Sequence, residues 1–294
     1  MIAYNKIYWN AYKKDNSILG FYGITKDPET KEFIMIIQFA NFGNLRSVLL
    51  NNFYNILWKD KIFLLFKIIG GLKRLHKLKY SHKNLHSGNI LQDHTDKFTD
   101  ALLYISDFGL SGPADKQKSD NKIHGVLPYV APEVLNGESY TKASDIYSFG
   151  IIMVELSSGI PPFYDKKDDL SLTIDICNGY RPEFRKGTPE FYKKLASSCM
   201  NANPNQRPTA IELYNILLFW WDSLKFYYQN VEKYGYHAKE INKIFNDADK
   251  EIPLLLFANQ EYQREYKSQL INTLPKPISY KNCPDCYKPF IDEL

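Results

Sequence analysis

The chain has 294 residues, of which 44% are hydrophobic, 15% aromatic and 24% charged, enough apolar surface for one large domain or two modest ones and too much for a disordered chain. Its 37 basic and 33 acidic residues leave a net charge of +4, spread along the sequence, which marks neither a nucleic-acid nor an anionic-membrane surface. The longest apolar stretch, around Ile216 to Trp221, falls far short of the ~18 residues of a membrane-spanning helix. The N-terminal residues Met1 to Ile7 lack the apolar core of a secretory signal, so the expectation is an intracellular, cytoplasmic chain.

In chain order, two strand-like runs come first, Ile18 to Thr25 and Phe33 to Phe39, joined by Lys26-Asp27-Pro28-Glu29-Thr30-Lys31, whose Pro and charges read as a hairpin loop. After Gly43-Asn44 the period becomes helical: Trp58, Ile62, Leu65, Phe66, Ile69, Leu72 and Leu75 recur at steps of three and four. Gly70-Gly71 inside that helix costs up to ~1 kcal/mol per residue and predicts close packing against another backbone. From Tyr80 to Leu110 the pattern is strand-like with polar loops at Ser81 to Asn89 and Gln92 to Asp100, and beyond Pro132 helices dominate. Strands first and helices afterwards predict an α+β fold.

From about Leu224 the chain is charged and Tyr-rich, with a helix expected near Gln260 to Leu270 and a linker after Thr273. Packing of this tail on the main domain is favoured over packing on a partner. Cys283 and Cys286 form one C-x-x-C without a second ligand pair, which reads as a turn rather than a zinc site.

Four blocks carry chemistry. They are His82-Lys83-Asn84-Leu85-His86-Ser87-Gly88-Asn89, then Asp107-Phe108-Gly109, then Ala131-Pro132-Glu133, then Ser144-Asp145-Ile146-Tyr147-Ser148-Phe149-Gly150, with Arg207 in a fifth. Each match alone is weak, but their order and spacing resemble those of the protein kinase superfamily over roughly Ile18 to Leu224, closest in flavour to the tyrosine-kinase-like group. The resemblance implies a kinase-like fold with a reduced, two-strand small lobe over residues 1–40, a helical large lobe over 41–224, and an extension over 225–294. It implies ATP and Mg2+ as cofactors and phosphoryl transfer to protein hydroxyls, with proteins as partners and neither nucleic acid nor membrane.

By the same resemblance Asn89 and Asp107 stand at the two metal-holding positions. Gln38, Phe39 and Ala40 would be the hinge that meets adenine, with Ile37 guarding the back of that pocket. Glu133 and Arg207 would tie the 27-residue segment from Asp107 to Glu133 to the helical lobe. Asp145 would bond the backbone of the catalytic loop, while His82 packs under the turn at Phe108 and Gly109.

The departures point the other way. Asn84 stands where the family has its catalytic Asp, and an amide cannot act as that base, a role typically worth ~10² to 10⁴ in rate. Lys83 replaces the usual Arg, without its bidentate fork, and Val126 replaces a Thr common in Ser/Thr kinases. The first glycine is Gly20 and no Glu precedes Glu29, so the Gly-rich lid, the strand Lys and its helix Glu are expected to be missing, with Asn5 to Lys14 as a remnant of that helix. The favoured expectation is a catalytically impaired pseudokinase that binds proteins. The alternatives are an active or weakly active Ser/Thr or Tyr kinase whose ATP lid lies outside this sequence, and a fragment without function. Ser111 and Ser119 read as solvated loop residues with a lesser case for phosphorylation, and a zinc site at His82 and His86 is disfavoured by the Ser87-Gly88 turn.

Overall fold

The computed structural model describes residues 19–93, 102–113, 123–166, 169–225, 231–251 and 268–271. The small lobe among them is one antiparallel hairpin of β1 (Phe21–Lys26) and β2 (Phe33–Ile37), paired from Phe21 opposite Ile37 to Lys26 opposite Phe33. Its turn forms because Asp27 Oδ1 accepts from the backbone N–H groups of Glu29 (2.7 Å) and Thr30 (2.9 Å), the local bonding that suits Asp to turns. Those backbone bonds also hold the Asp27 carboxyl below its ordinary pKa.

The large lobe is built on helices α1 (Leu45–Asn52), α2 (Trp58–Lys77), α3 (Pro132–Leu135), α4 (Lys142–Ser158), α5 (Asp169–Cys177), α6 (Glu190–Cys199) and α7 (Ala210–Lys225). Helix α4 is buried on every side from Ser144 to Ser158, the mark of a central core helix. Thr141 and Ser144 exchange side-chain and backbone bonds at its start (3.3 and 3.0 Å), as in a capping box. It stops at Gly159, whose φ of +72° suits glycine and where a Cβ would run into the ring of Phe53.

Helix α2 packs against α7 within the core, with Phe63 against Trp221 (4.9 Å between centroids) and Phe66 against Tyr214 (5.1 Å). The glycines in α2 meet side chains rather than another backbone, which corrects the sequence expectation. A Cβ at Gly70 would sit 3.5 Å from the Tyr214 ring, and one at Gly71 only 2.9 Å from Ile105 Cδ1.

Between α2 and α4 run short antiparallel pairs. β3 (Tyr80–Ser81) joins β6 (Gly112–Pro113), and β4 (Ile90–Asp93) joins β5 (Leu102–Ile105). A further strand, β7 (Ile123–Gly125), pairs with β10 (Gln269–Ile271) from the tail.

A hairpin of β8 (Glu232–Lys233) and β9 (Tyr236–His237) leads into helix α8 (Ala238–Glu251). Most of the helix expected near Gln260 to Leu270 lies outside the described residues; at its end Gln269 and Leu270 are strand, paired with β7. Helix α8 docks on the large lobe: Phe245 is fully buried against Trp58 (5.3 Å), Phe191 (5.0 Å) and Trp220 (6.0 Å). Asp249 Oδ1 accepts from Trp58 N–H at 2.7 Å, capping the first turn of α2 across 191 residues of sequence. Beside it Lys61 is buried with its ammonium over the rings of Phe53 (4.2 Å) and Trp58 (4.7 Å). Burial pushes its pKa down to about 7, against the pull of Asp249.

The expected helix remnant at Asn5 to Lys14, Ser119, the linker after Thr273, and the Cys283/Cys286 pair lie outside the described residues. Among the described residues no helix is long and apolar enough to cross a membrane.

Candidate active site

The loop from His82 to Asn89 is fixed from below by α4. Asp145, in the first turn of that helix and buried, accepts from His82 N–H (2.8 Å) and Lys83 N–H (2.9 Å), and its Oδ2 also receives His76 Nε2–H (2.9 Å). One carboxylate thereby satisfies two loop amides that burial would leave unpaired. Lys83 takes a left-handed φ of +71°, and the Asn84 side chain beyond it reaches Asp107, in the loop after β5.

His82 is fully buried with its ring 5.2 Å from that of Phe108. Its Nδ1 accepts from Asn84 N–H (3.3 Å) and its Nε2 meets the Ser106 carbonyl oxygen (3.0 Å), so the proton resides on Nε2 and the ring is neutral. Burial lowers its pKa, outweighing the pull of Asp145. His82 is therefore a bracket between the two halves of the site. His86 turns its Nδ1 to the N–H of Gly88 (3.1 Å), closing the turn before Asn89, and burial, with Arg46 nearby, pushes its pKa down to about 3. The two histidines are committed to backbone groups rather than to a shared ligand.

Asp107, Asn84 and Asn89 converge. Asn84 Nδ2 donates to Asp107 Oδ2 at 2.9 Å, and Asn89 Nδ2 donates to the Asn84 carbonyl at 2.9 Å and reaches Asp107 Oδ2 at 3.4 Å. Asp107 has a left-handed φ of +60°, a backbone strain of the kind that gathers at functional sites. Its Oδ1 receives Gly109 N–H at 3.4 Å, and a Cβ at Gly109 would sit 3.2 Å from that oxygen. The oxygen of the Asn84 amide, Oδ1, is buried without a hydrogen-bond partner among the described residues. Rotating the amide would set that oxygen against the Asp107 carboxylate, so the donor orientation is the one charge permits.

The donor set fits a hard divalent cation. Asp107 offers carboxylate oxygens, and Asn89, whose amide hydrogens are spent on protein acceptors, keeps its carbonyl oxygen to offer. Position 84 presents an amide donor, not a carboxylate, to Asp107.

The residues expected to form the hinge follow directly on the hairpin. Gln38 N–H donates to the Gly20 carbonyl (2.7 Å). The Gln38 side chain accepts from Gly20 N–H (3.0 Å) and donates to Asp93 Oδ2 (3.2 Å) and Tyr104 Oη (3.1 Å). Ala40 is buried with Leu19 and Tyr104 in a small cluster apart from the main core, whereas Ile37 and Phe39 are exposed, Phe39 at 83%.

Further out, Glu133 and Arg207 form a buried bidentate pair with both contacts at 2.7 Å. This pair joins α3 to the turn before α7. Ser111 is buried and its hydroxyl donates to the His82 carbonyl at 3.0 Å. The structure therefore corrects the exposed-loop reading of this residue. Val126 is buried in the core.

Sequence reasoning missed one cluster. Glu155 on α4 is buried and accepts from Tyr129 Oη (2.6 Å) and Ser87 Oγ (2.9 Å), with Arg46 Nε 4.0 Å away. Burial raises the Glu155 pKa, opposed by Arg46. The signal was a lone carboxylate in the apolar run Ile151-Ile152-Met153-Val154-Glu155-Leu156, since a buried Glu needs partners.

Comparison with known proteins now defines the class. The protein tyrosine and serine/threonine kinase family model matches residues 8–217, and the chain belongs to that family. Among individual relatives, the dual specificity protein kinase zakA of Dictyostelium discoideum is 33% identical over 195 residues, 62% of this chain and 24% of that protein. A putative serine/threonine-protein kinase/receptor of Acanthamoeba polyphaga mimivirus is 31% identical over 211 residues, 70% of this chain and 12% of its own length. A probable LIM domain-containing serine/threonine-protein kinase of Dictyostelium discoideum is 29% identical over 197 residues, 67% of this chain and 20% of its own length. The chain thus spans less than a third of the length of these relatives. They are named as serine/threonine or dual specificity kinases, and the tyrosine-kinase-like flavour receives no separate support.

Proposed function

We propose that this chain is a catalytically impaired member of the kinase family, a pseudokinase that acts by binding other proteins. The observation that carries this reading is Asn84. It occupies the position of the family's catalytic base, and its amide donates to Asp107; an amide takes up no proton from a substrate hydroxyl. In this reading residues 1–40 form the reduced small lobe and hinge, 41–224 the large lobe and 225–294 the extension. Asp107 and Asn89 would hold Mg2+, which when bound with ATP neutralises phosphate charge. The backbone at Gln38 to Ala40 would meet the adenine, with Ile37 beside it. Glu133, Arg207, Asp145, His82, Phe108 and Gly109 keep the loop and segment in place whether or not phosphate moves. The protein acts inside the cell, most simply in the cytoplasm.

A second reading, an active kinase completed by an ATP lid outside this sequence, is favoured by the names of the relatives and by the retention of Asn89 and Asp107. A phosphate-transfer assay, run beside melting curves with and without ATP and Mg2+, separates the two. The pseudokinase reading expects no transfer whether or not nucleotide raises the melting temperature. Transfer that depends on Asp107 would move the case to the second reading.

A further inference from the structure

The segment between Asp107 and Glu133 contains β7, whose partner strand comes from the far end of the chain. Gln269 pairs with Gly125, Leu270 with His124 and Ile271 with Ile123, antiparallel. Directly opposed residues share a face of a sheet. Ile271 and Ile123 accordingly both point inward, at 7% and 5% exposure, while Leu270, opposite the exposed His124, is 50% exposed. Gln269 is held separately, its Nε2 donating to Asp169 Oδ2 at 2.7 Å in the first turn of α5.

This edge lies beside the candidate active site. A Cβ at Gly125 would sit 3.9 Å from Asn84 Oδ1, and also 3.2 Å from Val130 Cγ2 and 3.5 Å from Tyr140 Oη. Tyr140 Oη in turn donates to the His124 carbonyl at 2.8 Å, fixing β7 from the other side. Among the described residues the pairing is three residues long, carries one buried aliphatic side chain and one side-chain hydrogen bond from β10, and belongs to a sheet of two strands. Among the described residues β10 is the strand paired with β7, and a strand edge that loses its partner is a template for another extended backbone. The matched family region ends at residue 217, so the strand that fills this edge is supplied by the extension.

We propose that β10 is an intramolecular plug. It occupies the β7 edge beside Asn84 and governs which extended segment of another protein can pair there. The competing segment has the same chemistry, an aliphatic residue where Ile271 sits and a side-chain amide two residues before it to reach Asp169. Pairing in cis gives β10 a high effective concentration, so a free segment enters only when the tail is released. This names the docking surface for the protein-binding reading, and its test does not depend on whether phosphate is transferred.

The test uses the full chain with Ile271→Asp, which places a charge at the buried contact, and Leu270→Asp, which alters only the exposed face. Hydrogen exchange of the amides at 123–125 should quicken at least about tenfold in Ile271→Asp and stay unchanged in Leu270→Asp. A labelled synthetic peptide of residues 266–273 should bind Ile271→Asp at least about tenfold more tightly than the wild type. Amides within α4 report whether the lobe stays folded. If Ile271→Asp unfolds it, Gln269→Ala, which removes only the bond to Asp169, should still quicken exchange at 123–125 about threefold. Unchanged exchange at β7 in the folded variant, or equal peptide affinity for variant and wild type, would overturn the proposal.

Discussion

On the proposed reading, replacing Asn84 by Asp restores the family's catalytic residue type, and in this site it should destabilise the protein. Asn84 Nδ2 donates to Asp107 Oδ2 at 2.9 Å. The substitution removes a hydrogen bond to a charged group, worth about 1.5–3 kcal/mol. It also brings two carboxylates together, a repulsion of about 4 kcal/mol for charge centres about 4 Å apart at an effective dielectric of 20. Uptake of a proton by the introduced carboxyl caps that cost, so the net loss at pH 7 is about 2–4 kcal/mol, or roughly 5–15 °C in melting temperature. The sign of the pH dependence follows. The introduced carboxyl titrates higher folded than unfolded, so the penalty is full above its folded pKa and fades as pH falls towards the ordinary value of about 4. Millimolar Mg2+ should recover part of the loss, because a cation between the two oxygens replaces the missing proton. Thermal melts of wild type and Asn84→Asp at pH 7 and pH 5, with and without Mg2+, read all three effects. An Asn84→Asp protein that melts at or above the wild-type temperature at pH 7 without Mg2+ would refute the reasoning.

Other perturbations have equally definite outcomes. Arg207→Leu leaves the buried Glu133 carboxylate unpaired and should cost about 3–5 kcal/mol by denaturant unfolding, while adding Glu133→Leu should recover part of it. Lys61 is depressed to about 7 when folded, so the unfolded chain holds more protons between that value and its ordinary pKa, and stability should rise with pH across that interval. Lys61→Met should remove this slope and raise the melting temperature at pH 7. Asp249→Ala removes the cap on Trp58 N–H and should cost about 1–2 kcal/mol, whereas Asp249→Asn, which keeps an accepting oxygen, should cost less.

The legible parts of the molecule were those written in local sequence. The helix from Trp58 showed in its apolar period, and the hairpin of β1 and β2 in its Pro-bearing, charged join. The order of the Asn84, Asp107 and Glu133 blocks pointed to the kinase family because a phosphate-handling site demands particular residue types at fixed intervals. The less legible parts join distant residues. Nothing near Asp249 announces that it caps a helix 191 residues earlier, and the three residues of β10 pair with β7, a strand far away in sequence. Gly70 and Gly71 were read from their conformational cost, but side chains of Tyr214 and Ile105 crowd them, and which neighbour arrives is set by tertiary packing. Glu155 could have been found from its apolar surroundings; its partners Tyr129, Ser87 and Arg46 could not.

The central claim is that the amide at position 84 leaves Asp107 without a catalytic base beside it. The most direct measurement is transfer of labelled γ-phosphate from ATP with Mg2+, to the chain itself and to a general protein substrate, by wild type and by Asp107→Asn. The account predicts that the two proteins give the same background. Wild-type turnover that vanishes in Asp107→Asn would contradict it.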